Sequence, residues 1–368
     1  MQSFGVGIIG YGFMGKTHAY GHVTLPLYYD PVPCRTRLVA VATSCPETAE
    51  AAQRALGFER ATTDWRELVA SPDVSIVHVC TPNALHAEQV LAVLAAGKHV
   101  YCDKPLCTTA EEADRIAAAL PAARGRHQMV LHNRFFPATR LAKQKVDDGF
   151  LGDLLSFRAA YLHAGSADPN APLKWRLDAA HSGGGVLLDL GSHALDLLQH
   201  LLGPLQVVDS TVYTAHATRR RADDPTQVVP VTTEDAALLT MRAVNGAPGQ
   251  VEATKIATGS MDELRFEVHG TRGALRFNLM QPNYLEAYDA TQPAASRGWC
   301  AVETVGAYPP PAVFPTPKAS VGWLRAHVAC LHSFLTAVAE DRPAAPDLSV
   351  GVALQHLMAE AYARARRA

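Results

Sequence analysis

Four ionisable side chains recur at helical spacing within an otherwise apolar segment, residues 184–202. They are Asp189, His193, Asp196 and His200, at intervals of four, three and four residues. Residues three and four apart share one face of an α-helix, and the leucines around them predict a buried helix with one polar stripe. Carboxylate and imidazole groups at this spacing can ligate zinc, or they can hydrogen-bond neighbouring backbone inside a core. The core interpretation is favoured for Asp196 and His200, and a metal site is disfavoured because the sequence contains no further cluster of ligands.

A second candidate for chemistry is Lys104, which follows the short predicted strand 99–102 within Asp103-Lys104-Pro105. A lysine at a strand exit is usually a solvated surface charge. Here a proline restricts the backbone on one side and a carboxylate adjoins the lysine on the other. The ammonium can therefore be held at one point at the edge of the predicted sheet.

The element that must position these residues begins at the N-terminal strand and its glycine-rich turn. Gly10, Gly12 and Gly15 form G-x-G-x-x-G between an apolar strand and a helix-compatible segment. In a dinucleotide-binding fold the first glycine allows a tight turn, the second lets the backbone approach a pyrophosphate, and the third lets the helix pack on the strand. The N–H groups at the start of that helix, at Phe13 and Met14, then face the diphosphate.

Alternating strands and helices after this turn predict a parallel sheet with ligands at the carboxyl ends of its strands. The first helix is predicted to end near residue 20, with a loop over residues 21–36. The next strand ends in Thr43 and Ser44, where an acidic residue would hold the ribose hydroxyls of NAD. Because two hydroxyls, and no carboxylate, are placed to meet a 2′-phosphate, the predicted cofactor is NAD(P), with NADP favoured over NAD.

Length and composition restrict the class of protein. A chain of 368 residues is longer than a domain with one hydrophobic core usually is, so two domains are expected. A formal charge of −2 gives no indication of nucleic-acid binding. The sequence has no apolar run of about 18 residues, and its seven scattered cysteines predict reduced thiols rather than a disulfide framework. A cytoplasmic protein without membrane association is expected.

The second half of the chain alternates strand patterns with turns. A boundary is placed between residues 132 and 133, so that a dinucleotide-binding Rossmann domain (1–132) precedes a second domain (133–368). Strands are predicted over residues 207–213, 236–244, 249–257, 264–269 and 274–278. Their alternation predicts a large, mostly antiparallel open sheet, and the Pro-rich residues 281–320 are predicted to form an extended loop. The expected fold class is α/β followed by α+β.

Four motifs together resemble the Gfo/Idh/MocA oxidoreductase family, named for glucose-fructose oxidoreductase and inositol dehydrogenase. They are GYGFMG at residues 10–15, TPNALH at 81–86, DKP at 103–105 and GGVLLDLGSHALD at 184–196. The family's third motif is usually Glu-Lys-Pro, so Asp103 shortens the acid by one methylene and keeps the carboxylate. The resemblance spans nearly the whole chain, and it implies a second domain whose open sheet builds homodimers or homotetramers.

The resemblance also implies roles for particular residues. Lys104, Asp189 and His193 match the family's catalytic residues. The imidazole would take a hydroxyl proton while hydride leaves the same carbon, the ammonium would stabilise the alkoxide, and the carboxylate would orient the substrate or the imidazole. The peptide bond before Pro105 is expected to be cis. The residues expected to border the cofactor are Thr81, Pro82, Asn83, His86, Asp103 and Lys104.

Substrate contacts are predicted at Arg134, His163, Trp175 and Arg176, in addition to the catalytic residues. These side chains fit a hydroxyl-rich ligand, and they can equally anchor loop backbone. The predicted function is NAD(P)-dependent oxidation or reduction at a carbinol or carbonyl carbon of a sugar, cyclitol or related polyol. Two alternatives stay open, namely an NAD-dependent glycosidase of the same fold and a cofactor-binding regulator without catalysis.

Overall fold

The computed structural model describes residues 1–305 and 307–368, which divide into two compact units. The first unit comprises residues 1–135, 308–316 and 322–355, and the second comprises the remainder. The first unit therefore takes in C-terminal segments besides the predicted N-terminal domain. The boundary between residues 132 and 133 stays a prediction about which segments fold independently.

A parallel sheet forms the centre of the first unit. Its strands are β1 (Ser3–Ile9), β2 (Arg35–Ala42), β3 (Arg60–Thr62), β4 (Ile76–Val79), β5 (His99–Asp103) and β6 (His127–Val130). The apolar runs of β1 and β4 are buried on both faces, as a parallel sheet requires. The order β3-β2-β1-β4-β5-β6 is that of a Rossmann fold, in which a ligand crevice opens where β1 and β4 end. The predicted parallel sheet is confirmed.

Helices connect the strands and cover the sheets. They are α1 (Phe13–Tyr28), α2 (Pro46–Leu56), α3 (Trp65–Ala70), α4 (His86–Ala95), α5 (Ala110–Ala119), α6 (Pro137–Asp147), α7 (Ala179–Ser182), α8 (Ser192–Leu202), α9 (Trp323–Ala339) and α10 (Leu348–Ala363). Within the part of the chain that the structure describes, none of them has the length and apolar character needed to cross a bilayer.

Helix α1 runs to Tyr28, so the predicted loop is wrong over residues 21–28. The buried residues His18, His22 and Leu25 continue the helical spacing through that stretch. Pro26 lies in the last turn, where its ring removes one hydrogen bond and does not prevent the preceding turns from forming.

A large mixed sheet forms the second unit. The strands of this unit are β7 (Leu154–Leu162), β8 (Leu205–Tyr213), β9 (Thr218–Arg220), β10 (Val228–Pro230), β11 (Ala236–Ala243), β12 (Pro248–Thr254), β13 (Glu263–Gly270), β14 (Gly273–Asn278), β15 (Tyr284–Asp289), β16 (Trp299–Glu303) and β17 (Ala365–Arg367). The sheet order is β16-β15-β14-β13-β7-β12-β11-β8-β17, and β9 pairs with β10 separately. Parallel pairing occurs between β7 and β12 and between β8 and β17, whereas the other neighbours are antiparallel. The predicted mostly antiparallel sheet is confirmed.

The predicted loop over residues 281–320 is wrong where β15 and β16 form. Strand β15 pairs with β14 on one side and with β16 on the other. The prolines that suggested a loop lie before, between and after these two strands, where they remove no ladder hydrogen bond.

The segment that carries Asp189 and His193 is helical from Val186 onward. A π-helical turn, Leu187–Gly191, continues directly into α8. Glycine suits the end of this turn, because a Cβ on Gly191 would lie 2.8 Å from Leu187 Cδ1. Helix α8 packs on β7, β12 and β13, which fixes it on one face of the mixed sheet.

Candidate active site

The glycine-rich turn at the end of β1 leaves free space beside its backbone. Gly10 has φ +89°, and its N–H donates to the carbonyl of Ala42 at 2.8 Å. A Cβ on Gly15 would lie 2.0 Å from the carbonyl oxygen of Gly10, so α1 can approach β1 only without a side chain there. A Cβ on Gly12 would meet no described atom within 4 Å. The backbone at Gly12 thus borders open space at the start of α1, where a helix binds anions.

Phe13 and Met14 begin α1 beside this open space. Helix geometry gives the first N–H groups of α1 no acceptor within the helix. The ring of Phe13 stacks on Trp323, the first residue of α9, with centroids 5.3 Å apart. Trp323 was missed by the sequence analysis, because it stands in the C-terminal part of the chain and no local pattern joins it to the glycine turn.

His86 fastens two loops at the carboxyl edge of the parallel sheet. Its Nδ1 lies 2.7 Å from the carbonyl oxygen of Pro105, and its Nε2 lies 2.8 Å from that of Thr81. Burial lowers the pKa of His86, whereas the hydrogen bonds to the two carbonyls raise the pKa by a smaller amount. His86 thereby links the TPNALH loop to the loop of Lys104. Pro82 and Asn83 lie in the first of these loops, where Asn83 begins a short 3₁₀ turn.

The turn of Lys104 is held by its neighbours. The carboxylate of Asp103 accepts the backbone N–H of Lys104 at 2.9 Å. The bond between Lys104 and Pro105 is cis, as the resemblance implied. Asp103 is buried, so a carboxylate one methylene shorter than the family's glutamate fixes the backbone from which the lysine projects.

The end of β2, where the ribose of a dinucleotide is expected, carries more than the two predicted hydroxyls. Thr43 Oγ1 donates to the carbonyl oxygen of Cys45 at 2.7 Å, whereas Ser44 is exposed. Glu47, which the sequence analysis did not consider, accepts from Cys45 Sγ at 3.0 Å. A carboxylate therefore lies in this turn after all.

In the second unit, Asp189 lies between two cations. Its Oδ2 is 3.0 Å from Lys255 Nζ and 3.5 Å from Arg176 Nε. The guanidinium of Arg176 also stacks over the ring of Trp175 at 4.3 Å. Two of the predicted substrate contacts thus gather around the predicted catalytic carboxylate.

Lys255 was missed, although the sequence carried a signal for it. Along β12 the residues Val251 and Ala253 are buried, and Lys255 continues the same alternate positions. A charged residue in phase with the buried side of a strand needs a counter-charge inside the protein. In this chain Asp189 supplies that charge.

A second polar group adjoins His193. The ring of Tyr161 meets that of His193 edge to face, with centroids 5.8 Å apart. Tyr161 donates its hydroxyl to Asp262 at 2.5 Å, and Nε2 of the predicted substrate contact His163 lies 3.0 Å from the same carboxylate. Burial, and then the charges of Asp262 and Asp189, raise the pKa of Tyr161 well above its usual value. Tyr161 and Asp262 were also missed.

Asp196 and His200 follow His193 along α8. Asp196 is buried and His200 is half-buried. Among residues 1–305 and 307–368, the structure contains no group of three or more histidine, cysteine, aspartate or glutamate side chains arranged to hold a metal ion. Arg134, the remaining predicted substrate contact, belongs to the first unit and lies half-buried in the short 3₁₀ turn His132–Phe135.

Two family comparisons cover most of the chain. Residues 4–132 match the oxidoreductase family with an NAD-binding Rossmann fold, and residues 139–276 match the GFO/IDH/MocA C-terminal domain. The chain belongs to the GFO/IDH/MocA family of NAD-binding oxidoreductases. The predicted family, fold class and enzyme class are thereby confirmed.

Individual relatives are similar over three quarters or more of this chain. Levoglucosan dehydrogenase of Pseudarthrobacter phenanthrenivorans is 36% identical over 365 residues, which cover 95% of this chain and 93% of that protein. The structure of a levoglucosan dehydrogenase in complex with NADH and levoglucosan superimposes with a TM-score of 0.94 at 35% identity, over 99% of this chain and 97% of that one. Inositol 2-dehydrogenase of Rhizobium meliloti is 28% identical over 282 residues, 76% of this chain and 77% of that protein.

Proposed function

We propose that the chain oxidises a secondary hydroxyl of a sugar, anhydrosugar, cyclitol or related polyol, or reduces the corresponding ketone, with NAD(P). The observation that carries the proposal is the Asp189 carboxylate, held by Lys255 and Arg176 four residues before His193. Relatives named levoglucosan dehydrogenase and inositol 2-dehydrogenase act on hydroxyl-rich rings, which supports the same substrate class here.

The catalytic residues in this proposal are Lys104, Asp189 and His193. The nicotinamide, when bound, supplies the hydride acceptor or donor. His193 takes the proton of the substrate hydroxyl at Nε2, since its Nδ1 is buried. Lys104 stabilises the negative charge that develops on the substrate oxygen, and Asp189 stabilises the imidazolium that forms.

The residues that would hold the dinucleotide follow from the open space at Gly12. Gly10, Gly12 and Gly15, with the N–H groups of Phe13 and Met14, suit the pyrophosphate. Thr43 and Ser44 are proposed for the adenosine ribose. For the nicotinamide end the proposed residues are Thr81, Pro82, Asn83, His86, Asp103 and Lys104.

Binding of the substrate ring is assigned to polar side chains that can meet several hydroxyls. Arg176, whose guanidinium lies over the ring of Trp175, presents a donor beside Asp189, and His163 lies beside Asp262. Arg134 is proposed as a further contact. Asp262, which already accepts from Tyr161, can accept from a substrate hydroxyl as well.

The test is an assay of the purified protein with levoglucosan, inositol isomers and simple aldoses, each with NAD and with NADP. Formation of reduced nicotinamide with at least one of these compounds is the expected result. Cleavage of nitrophenyl glycosides without net turnover of the nicotinamide would show a glycosidase instead. Binding of NADH together with inertness toward every compound in both directions would overturn the proposal.

The preference for NADP over NAD stays a prediction from Thr43 and Ser44. The Glu47 carboxylate in the same turn opposes a 2′-phosphate, and the related structure with the sugar contains NADH. Comparison of kcat/KM for the two dinucleotides decides between them. Glu47→Gln is expected to shift the ratio toward NADP, because it removes the negative charge and keeps the size of the side chain.

We also propose that the outer face of the mixed sheet joins copies of this chain into a homodimer or homotetramer. The residue register places Tyr213 and Leu238 on that face, 44% and 53% exposed. Arg158 and Glu267 pair across neighbouring strands there, 3.4 Å apart, and a groove of about 350 Å³ runs along it. Light scattering should give a mass above that of one chain, and Leu238→Lys should reduce it. A monomeric wild type would overturn this proposal.

A further inference from the structure

Lys255 is the better-buried partner of the Asp189 carboxylate. Its side chain is 11% exposed, against 47% for Arg176, and its ammonium is the closer of the two cations. Arg176 can therefore turn toward solvent or a ligand, whereas Lys255 has little freedom to do so. The charge and direction of Asp189 are governed from the buried side by Lys255.

Two consecutive residues, Glu234 and Asp235, bind the backbone of the segments that carry Asp189 and Lys255. The backbone N–H of Lys255 donates to the carbonyl of Asp235 at 2.8 Å. The neighbouring Glu234 accepts from the N–H groups of Gly185 at 3.1 Å and Leu187 at 3.0 Å, at the start of the helix that carries Asp189. The two residues immediately before β11 thus contact both the start of the Asp189 helix and the backbone of Lys255.

The arrangement has a chemical consequence for proton transfer. As His193 receives the hydroxyl proton it becomes a cation, and a carboxylate fixed four residues earlier can stabilise that cation only if it is ionised and correctly directed. The ammonium of Lys255, 3.0 Å from Oδ2, pairs with the carboxylate of Asp189 and limits its rotation. Removal of Lys255 would take away the closer and better buried of these two cations.

We propose that Lys255 is a positioning residue of the oxidation, acting through Asp189 on His193. This inference rests on the proposed function, in which Asp189 and His193 serve catalysis. Lys255 itself need not touch the substrate. Its contribution is to hold the carboxylate in one ionised orientation before the proton moves.

The test compares Lys255→Met, Lys255→Gln and Lys255→Arg with the wild type. Loss of the ammonium should lower kcat by about 10- to 100-fold with a smaller change in KM, because the interaction matters when the imidazolium forms. Because a less well held Asp189 stabilises the imidazolium less, the acidic limb of kcat/KM should move to lower pH in the Met and Gln variants. Lys255→Arg should restore most of the activity and the original pH profile.

Lys143→Met is the matched control. It removes another lysine that pairs with an aspartate, Asp147, on the surface of α6, with the same change in net charge. Its kcat and pH profile should equal those of the wild type.

The outcomes separate the two proposals. An active wild type together with normal kcat and pH profile in folded Lys255→Gln would overturn the role of Lys255 alone. A wild type inactive on every sugar and polyol would overturn the proposed function instead. If Lys255→Met does not fold, the comparison of Lys255→Gln with Lys255→Arg decides, and equal activity in these two variants would contradict a role for the charge.

Discussion

His18 and His78 face each other in the core of the first unit, with their Nδ1 atoms 3.1 Å apart. His22 extends this contact, because its Nε2 lies 2.9 Å from Nε2 of His78. Burial lowers the pKa of His18 and of His22 to about 3, and that of His78 well below its usual value. The folded protein therefore contains a row of neutral imidazoles between α1 and the parallel sheet.

This row predicts that the protein loses stability in acid. In the unfolded chain a histidine binds a proton near pH 6.5, whereas His18 and His22 stay neutral in the folded state down to about pH 3. Because the folded-state pKa is lowered, the stabilisation is complete above pH 6.5 and is lost as the pH falls from 6.5 toward 3. As the pH falls through this range, His18 and His22 should each reduce the free energy of unfolding by about 1.4 kcal/mol per pH unit. Urea unfolding at a series of pH values measures the slope.

The control for this prediction replaces one imidazole. His22→Gln keeps a hydrogen-bonding side chain and should make the slope shallower, whereas His181→Gln, at an exposed position, should leave it unchanged. A free energy of unfolding that stays constant between about pH 6.5 and pH 5 would contradict the prediction.

Alanine substitutions at two glycines of the first turn should affect different properties, namely folding at Gly15 and cofactor binding at Gly12. Gly15→Ala forces a Cβ to within 2.0 Å of a backbone oxygen and should destabilise the protein strongly. Gly12→Ala meets open space in the protein, so the melting temperature should hardly change. Its Cβ would obstruct a bound pyrophosphate, however, and NADH affinity should fall at least tenfold, about 1.4 kcal/mol. Normal NADH affinity in Gly12→Ala would show that the dinucleotide does not approach this backbone.

Loss of the proposed base should affect the chemical step. His193→Ala is expected to lower kcat for oxidation by about 10²- to 10⁴-fold and to leave the NADH dissociation constant almost unchanged. Lys104→Ala should also lower kcat, but it should retain the pH dependence that His193 imposes on the oxidation. Steady-state kinetics over a range of pH, together with NADH titration, provide the measurement. Undiminished oxidation by His193→Ala with a normal pH profile would exclude this histidine as the base.

Substitution of Glu234 should lower both the stability of the folded protein and kcat. Its carboxylate accepts from Gly185, Leu187 and the hydroxyl of Tyr362, the last at 2.8 Å. Glu234→Gln turns an amide group toward those donors and should cost about 1–3 kcal/mol of stability. It should lower kcat as well, because the helix of Asp189 starts there, while NADH affinity stays normal. Tyr362→Phe removes the hydroxyl that donates to Glu234 and accepts from Gly185, but it leaves the carboxylate in place and should have a smaller effect on the melting temperature.

Much of the nucleotide-binding half could be predicted because its signals are local. Gly10, Gly12 and Gly15 stand within six residues, and the strand and helix around them are equally short patterns. The steric reasons for glycine at positions 10 and 15 appear in the structure as backbone contacts that any side chain would prevent. The turn of Lys104 could be predicted for the same reason, because Asp103 and Pro105 adjoin the lysine.

The surroundings of Asp189 were harder to predict because they depend on distant parts of the chain. Lys255 approaches Asp189 through the pairing of β12 with β7 and β11, which no spacing in the sequence reveals. Asp262 similarly reaches Tyr161 from a loop about 100 residues further on. The π turn also escaped prediction, because the leucine pattern suits a regular α-helix equally well.

Because of that π turn, the direction of the Asp189 side chain depends on the number of residues between it and α8. A π turn accommodates one residue more than an α-helical turn, and an α-helix rotates by about 100° for each residue. Deletion of Leu190 would allow a regular helix and would swing the preceding segment around the helix axis relative to His193. The direction of the Asp189 side chain relative to His193 is therefore set by the π turn between them as well as by the identities of the two residues.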